Sequence, residues 1–164
     1  MKRVKLTLTE RLELAMNEWN DAIAGLHVAD FERMVYHKWN LKDVMGHVFA
    51  YLDLTLRHVQ SYKKRKRLYA PHAPSYSFFN RREAERLKRV PLTQLRRDLK
   101  ATYRELLVLV PTLSDDDLKK QFPAQWSNST YKTTLRHQLR ENASHIQIHA
   151  REVQVWRKRE RVGK

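Results

Sequence analysis

The segment Asn142-Ala143-Ser144-His145-Ile146-Gln147-Ile148-His149 decides how the rest of the chain is read. On a helix, side chains four apart stand one turn above each other, with Cβ atoms roughly 5–6 Å apart. His145 and His149 therefore aim two imidazoles at one point, and Asn142 lies on the same line a turn earlier. A third imidazole from a second helix completes a facial metal site. The candidate is His47, in Trp39-Asn40-Leu41-Lys42-Asp43-Val44-Met45-Gly46-His47. His58 is out of reach of that site, being about 16 Å further along the axis at ~1.5 Å per residue. His27, His37, His72 and His137 have no spacing relation to the pair and read as loop or surface residues.

The same helical period runs outward from this segment. Leu135, Leu139, Ile146, Ala150, Val153 and Trp156 mark the buried stripe of a last helix over residues 130–159. Thr7 and Glu10 fit a capping box ahead of a first helix, residues 8–26, with Leu12, Met16, Trp19, Ile23 and Leu26 inward. Asn40 as cap, with Asp43 at the third helical position, opens a second helix over 41–62. Its buried face is Leu41, Val44, Val48, Leu52, Thr55 and Val59, and the cations Lys63 to Arg67 suit its negative end. Residues 68–80 carry Pro71, Pro74 and several aromatics and read as a packed loop, with Asn80 capping a short helix to 89. Pro91 suits the first turn of a third long helix over 92–110, whose inner face is Leu92, Leu95, Leu99, Tyr103, Leu106 and Val110. Pro111 ends it, and Ser114-Asp115-Asp116-Asp117 opens a short helix. Strand alternation and internal repeats are both lacking. The expected fold is all-α, a four-helix bundle with a long crossover between the second and third long helices, and residues 1–164 form one domain.

Composition narrows the chemistry. There is no cysteine, hence no thiolate ligand and no catalytic thiol, so any thiol chemistry needs a small-molecule thiol. Met1-Lys2-Arg3 is basic but no apolar stretch follows, and no run is long enough to span a membrane. A cytoplasmic protein with no membrane partner is expected. Lys and Arg number 33 against 18 Asp and Glu, a net charge of +15 that favours anionic partners. The basic side chains are scattered over several helices and no nucleic-acid motif accompanies them, so nucleic acid is an unfavoured partner.

Two motifs carry a family resemblance. Trp39-Asn40-Leu41-Lys42-Asp43-Val44-Met45-Gly46-His47 is similar to the W-S-x-K-D-x-x-x-H segment of the DinB-like superfamily, the damage-inducible DinB and YfiT relatives. Asn142-x-x-His145-x-x-x-His149 is similar to the family's N-x-x-H-x-x-x-H segment on its final helix. Residues 91–118 and Trp126 resemble the family's third helix, acidic turn and loop tryptophan, closest to the subgroup that contains DfsB and ClbS. Asn40 stands where Ser or Thr is usual, and Ile146 where the subgroup often has Tyr. The resemblance implies a DinB-like four-helix bundle in which His47, His145 and His149 hold a divalent metal: zinc, nickel or iron. It also implies hydrolase or thiol-dependent transferase activity on a small, toxic electrophile, and it makes a homodimer an expectation. The charge of +15 suits an anionic thiol or substrate. A catalytically silent small-ligand or toxin binder is the second reading, and a basic nucleic-acid-binding protein with structural histidines the third.

Four further residues belong to the candidate site. Asn142 shares the histidine line. Glu152 lies near one turn past His149 and Asp43 one turn before His47, so each is placed to orient a ligand from outside. Plainer roles compete: a helix-start charge for Asp43, an exposed partner of Arg151 for Glu152. Trp126 and the aromatic loop either wall a pocket over the metal or belong to the core. The chain is not a zincin, since H-E-x-x-H needs glutamate where Ile146 stands. Catalytic residues beyond the metal site are not assigned.

Overall fold

The computed structural model describes residues 6–36 and 38–160; His37 and Met1-Lys2-Arg3, read above, lie outside the described residues. Four long helices, α1 (Leu8–Ile23), α2 (Leu41–Arg65), α4 (Leu92–Leu109) and α6 (Leu135–Glu160), are joined by shorter ones, α3 (Tyr76–Lys88) and α5 (Asp115–Lys119). The caps explain the starts. Thr7 Oγ1 accepts the Glu10 N–H at 3.2 Å while Glu10 Oε2 accepts the Thr7 N–H at 2.7 Å. Asn40 and Asp43 exchange the same pair of bonds at 2.8 and 3.2 Å, and Ser114 with Asp117 repeats it at α5.

Several boundaries differ from the sequence expectation. α1 stops at Ile23 because Gly25 takes a left-handed φ of +73°, which turns the chain; Leu26 is buried after that turn rather than on the helix. α2 runs on through Lys63, Lys64 and Arg65 and ends at left-handed Lys66, whose N–H reaches the Tyr62 carbonyl at 2.8 Å. Asn80 does not cap the crossover helix. Ser75 does, its Oγ accepting the Phe78 N–H at 3.3 Å, so Asn80 falls inside α3. Residues 130–134 precede α6 because Lys132–Thr133 (β2) pairs antiparallel with Phe122–Pro123 (β1), a ladder too short to show alternation. Thr134 Oγ1 then accepts the His137 N–H at 3.0 Å and starts α6.

α6 packs against both α1 and α2, and α2 in turn against α4 and α3, so the crossover lies along α2. The stripes meet in one core, with Trp19, Phe31, Leu52, Leu106, Ile146 and Trp156 all but inaccessible. No helix among the described residues is long and apolar enough to cross a membrane.

His58 sits in that core, fully buried, with no hydrogen bond of good geometry to either ring nitrogen and only a weak approach from the Tyr69 backbone. Burial lowers its pKa to about 4, only partly opposed by the Tyr69 backbone. Its folded pKa is thus below the unfolded value of ~6.5, so the unfolded chain takes up the proton first. Stability falls as pH drops from ~6.5 through the folded pKa, by about 3 kcal/mol in full. Denaturant melts of wild type and His58→Leu across that window should show the variant gaining relative stability as pH falls.

Candidate metal centre

α2 delivers His47 and α6 delivers His145 and His149 to the seam where these helices pack. His145 Nε2 lies 2.9 Å from His47 Nε2 and 3.0 Å from His149 Nε2. One ligand nitrogen from each of the three rings falls within 4.8 Å of the others, so the cluster could hold a metal ion. Bonds of ~2.0–2.1 Å from one ion to two imidazoles place those nitrogens roughly 3 Å apart when the bonds are near right angles. A ring nitrogen carries one proton or one in-plane lone pair. His145 Nε2 can therefore satisfy one of its two neighbours by hydrogen bonding, and the donor set fits a shared cation better than it fits itself.

The electrostatics favour neutral imidazoles. Burial, then the mutual repulsion of the rings, lowers His47 to about 3 and His145 to about 4. Burial also lowers His149, against the pull of Glu152. At neutral pH three uncharged imidazoles therefore face one another.

Glu152 is the outer partner that α6 provides one turn on. His149 Nδ1–H donates to Glu152 Oε2 at 2.8 Å, which leaves the Nε2 lone pair facing the cluster. The Tyr36 hydroxyl donates to the same oxygen and lies 3.3 Å from His149 Nδ1. Burial and Glu152 both raise the Tyr36 pKa, so it stays a neutral donor. Tyr36 escaped the sequence reading because it comes from the irregular segment before α2, with no helical spacing to the histidines. Asp43 is engaged at the α2 cap, and among the described residues no hydrogen bond joins it to His47.

Aromatic rings enclose the rest. Trp39 and Tyr51 flank His47 at 4.8 and 5.0 Å between centroids, and Tyr51 also meets His145 at 4.7 Å. Tyr51 is four residues past His47, a spacing that could have found it. Trp126, nearly inaccessible, packs on Tyr76 and Phe79 at 4.5 and 5.4 Å and so backs the wall beside Tyr51. Asn142 is buried beside His145, lining a cleft that His47, Tyr51 and His145 share. His58 stays apart from the cluster, and His27, His72 and His137 are exposed.

Larger depressions of about 530 Å³, lined by Arg11, Arg136 and Arg140, hold no such cluster. Part of the basic surface is paired: Arg82 and Arg86 with Glu83, Arg97 with Asp98, Lys66 with Asp117.

The family model described as the DinB superfamily matches residues 36–153, spanning His47, His145 and His149. No curated protein matches the sequence. Among solved structures, the Sibling Lethal Factor Precursor DfsB is similar at 17% identity and a TM-score of 0.75, covering 94% of this chain and 95% of that one. An uncharacterised protein from Escherichia coli UTI89 is similar at 12% identity and a TM-score of 0.77, covering 99% of each chain. Mycothiol-dependent maleylpyruvate isomerase is similar at 18% identity and a TM-score of 0.71, covering 90% of this chain and 61% of that one. At such identities the likeness establishes the fold.

Proposed function

The chain belongs to the DinB superfamily, and from that premise we propose that it is a metal-dependent enzyme acting on a small electrophile. His47, His145 and His149 are its ligands for a divalent ion, zinc, nickel or iron. The observation that carries this is the double approach to His145 Nε2, at 2.9 and 3.0 Å, by two other ring nitrogens. A divalent ion bound there supplies Lewis acidity and lowers the pKa of a bound water or thiol. Glu152 and Tyr36 hold His149 in the tautomer and orientation that ligation requires. Trp39 and Tyr51 pack against the histidine rings, and Tyr76, stacked on Tyr51, extends the apolar wall offered to the substrate.

Hydrolysis and thiol-dependent transfer are the two reaction classes. One protein of similar fold is a mycothiol-dependent isomerase, and on that precedent the proposed chemistry extends to a small-molecule thiol as co-substrate. Elemental analysis of the purified protein should find one equivalent of divalent metal. Turnover of simple electrophiles with and without added thiol then separates transferase from hydrolase. Absence of both metal and turnover sinks the assignment. A cytoplasmic location and a homodimer belong to the same proposal; fractionation and sedimentation check them.

Glu152→Gln keeps the size of the side chain but removes the carboxylate that accepts the His149 Nδ1–H. Loss of such an outer partner costs about 10–100-fold in metal affinity. Competition against a chelator should therefore show zinc leaving the variant first, with the melting curve of the metal-free protein little changed.

A further inference from the structure

A cleft of about 290 Å³ opens beside the His47 and His145 rings. Its walls carry four carboxamides: Asn80 from α3, Gln125 from the segment between β1 and β2, and Gln138 and Asn142 from α6. Neither lysine nor arginine lines it, and its one carboxylate is the exposed Glu141. In the metal-free protein an anion entering here meets a like charge and no cation. The net charge of +15 is thus spent elsewhere on the surface.

Two of the four amides have partners within the protein. Asn80 Oδ1 accepts the Tyr51 hydroxyl at 2.7 Å, and Gln138 Nε2 donates to Thr133 Oγ1 at 2.9 Å. Asn142 has none. It is 4% exposed, yet neither Oδ1 nor Nδ2 has a hydrogen-bond partner, and Gln125 Oε1 is likewise buried without one. Buried amides that have given up water are paired in folded proteins as a rule. Both residues line one opening, next to the histidine cluster, and these amide atoms lie just beneath its surface with almost no contact with solvent.

We propose that this cleft recognises an uncharged ligand through a carboxamide edge, a primary amide or lactam whose C=O and N–H lie side by side. Asn142 presents a donor and an acceptor on one planar edge, which matches that ligand edge with two antiparallel hydrogen bonds. A trans secondary amide points its C=O and N–H in opposite directions and can make one of the two. A carboxylate has no donor for Asn142 Oδ1 and faces Glu141. Tyr51 and Tyr76, nearly parallel at 6.5 Å between centroids, supply apolar surface for the rest of the molecule. The substrate class named in this way rests on the metal-enzyme proposal only for the reacting end of the ligand; its recognition end depends on the carboxamides.

Benzamide and benzoate test it, being alike in shape and different in charge and hydrogen-bonding edge. Each is titrated by calorimetry into the full chain, metal-free and zinc-loaded, with zinc content measured on the same samples. Benzamide should bind saturably in both forms, and benzoate about tenfold more weakly or worse to the metal-free protein. Asn142→Leu should weaken benzamide by about tenfold, the loss expected for hydrogen bonds made in a dry site. Where that variant fails to fold, Gln125→Leu, on the segment outside the helices, should weaken benzamide in the same sense. Absence of saturable benzamide binding overturns the proposal, as does benzoate binding equally well without metal, or benzamide affinity unchanged in the variant that folds. Zinc bound without benzamide recognition removes this inference and leaves the metal centre standing; benzamide bound without any zinc affinity does the reverse.

Discussion

Replacing His145 by alanine is expected to leave a folded protein that holds no metal. Of the three imidazoles, His145 has its Nε2 close to both of the others, at 2.9 and 3.0 Å, so its removal opens the centre of the cluster. The remaining pair, His47 and His149, comes from different helices and faces at a ring separation of 5.0 Å. Two imidazoles without the central one offer an ion half of a tetrahedral shell, where sites of this type keep three protein ligands. Elemental analysis of wild type should give one equivalent and of His145→Ala close to none, and any metal-dependent turnover should vanish with it. Circular dichroism should remain that of a helical protein, because His145 caps no helix and the buried stripe beside it is intact. Full retention of metal by a folded His145→Ala protein would falsify the ligand assignment.

Trp19→Ala is the substitution expected to damage the fold most. Its ring is fully buried in α1, the helix that packs along α6, and α6 carries two of the three histidines. Removing a buried tryptophan ring costs about 3–5 kcal/mol when the surroundings cannot collapse into the space. Total stabilities run at roughly 5–15 kcal/mol, so this is a large share. Urea unfolding should show a much lower midpoint with little change in slope. Trp19→Phe retains most of the volume and should lose distinctly less. An alanine variant within ~1 kcal/mol of wild type would mean the α1–α6 seam is not tightly packed there.

Much of this structure was legible because its signals are local. Capping pairs such as Thr7 with Glu10 and Asn40 with Asp43 mark helix starts within four residues. The i,i+4 spacing of His145 and His149 fixes two imidazoles on one helix, and the motif around His47 supplies the third. What stayed hidden depends on distant contacts or on competing local ones. Ser75 caps α3, but the prolines and aromatics around it disguise a helix start as loop. Tyr36 reaches Glu152 across 116 positions of sequence, which no periodicity encodes. The sequence leaves Glu152 between two roles for the same reason, since its bond to His149 depends on side-chain direction as well as spacing. His58 shares the α2 stripe and sits in the interior, where a titratable ring is rarely expected. The carboxamide wall is assembled from three separate segments and has no linear signature.

His47 and His145 are 98 residues apart in a chain without cysteine. An ion held by the proposed ligand set would be a reversible cross-brace, tying α2 to α6 where secreted proteins of this size use a disulfide. Because the brace exists only in the folded state, its contribution grows with the concentration of free ion. If the proposed ligand set is right, the melting temperature should rise in zinc-buffered solution and fall under a chelator, with the helices themselves unchanged.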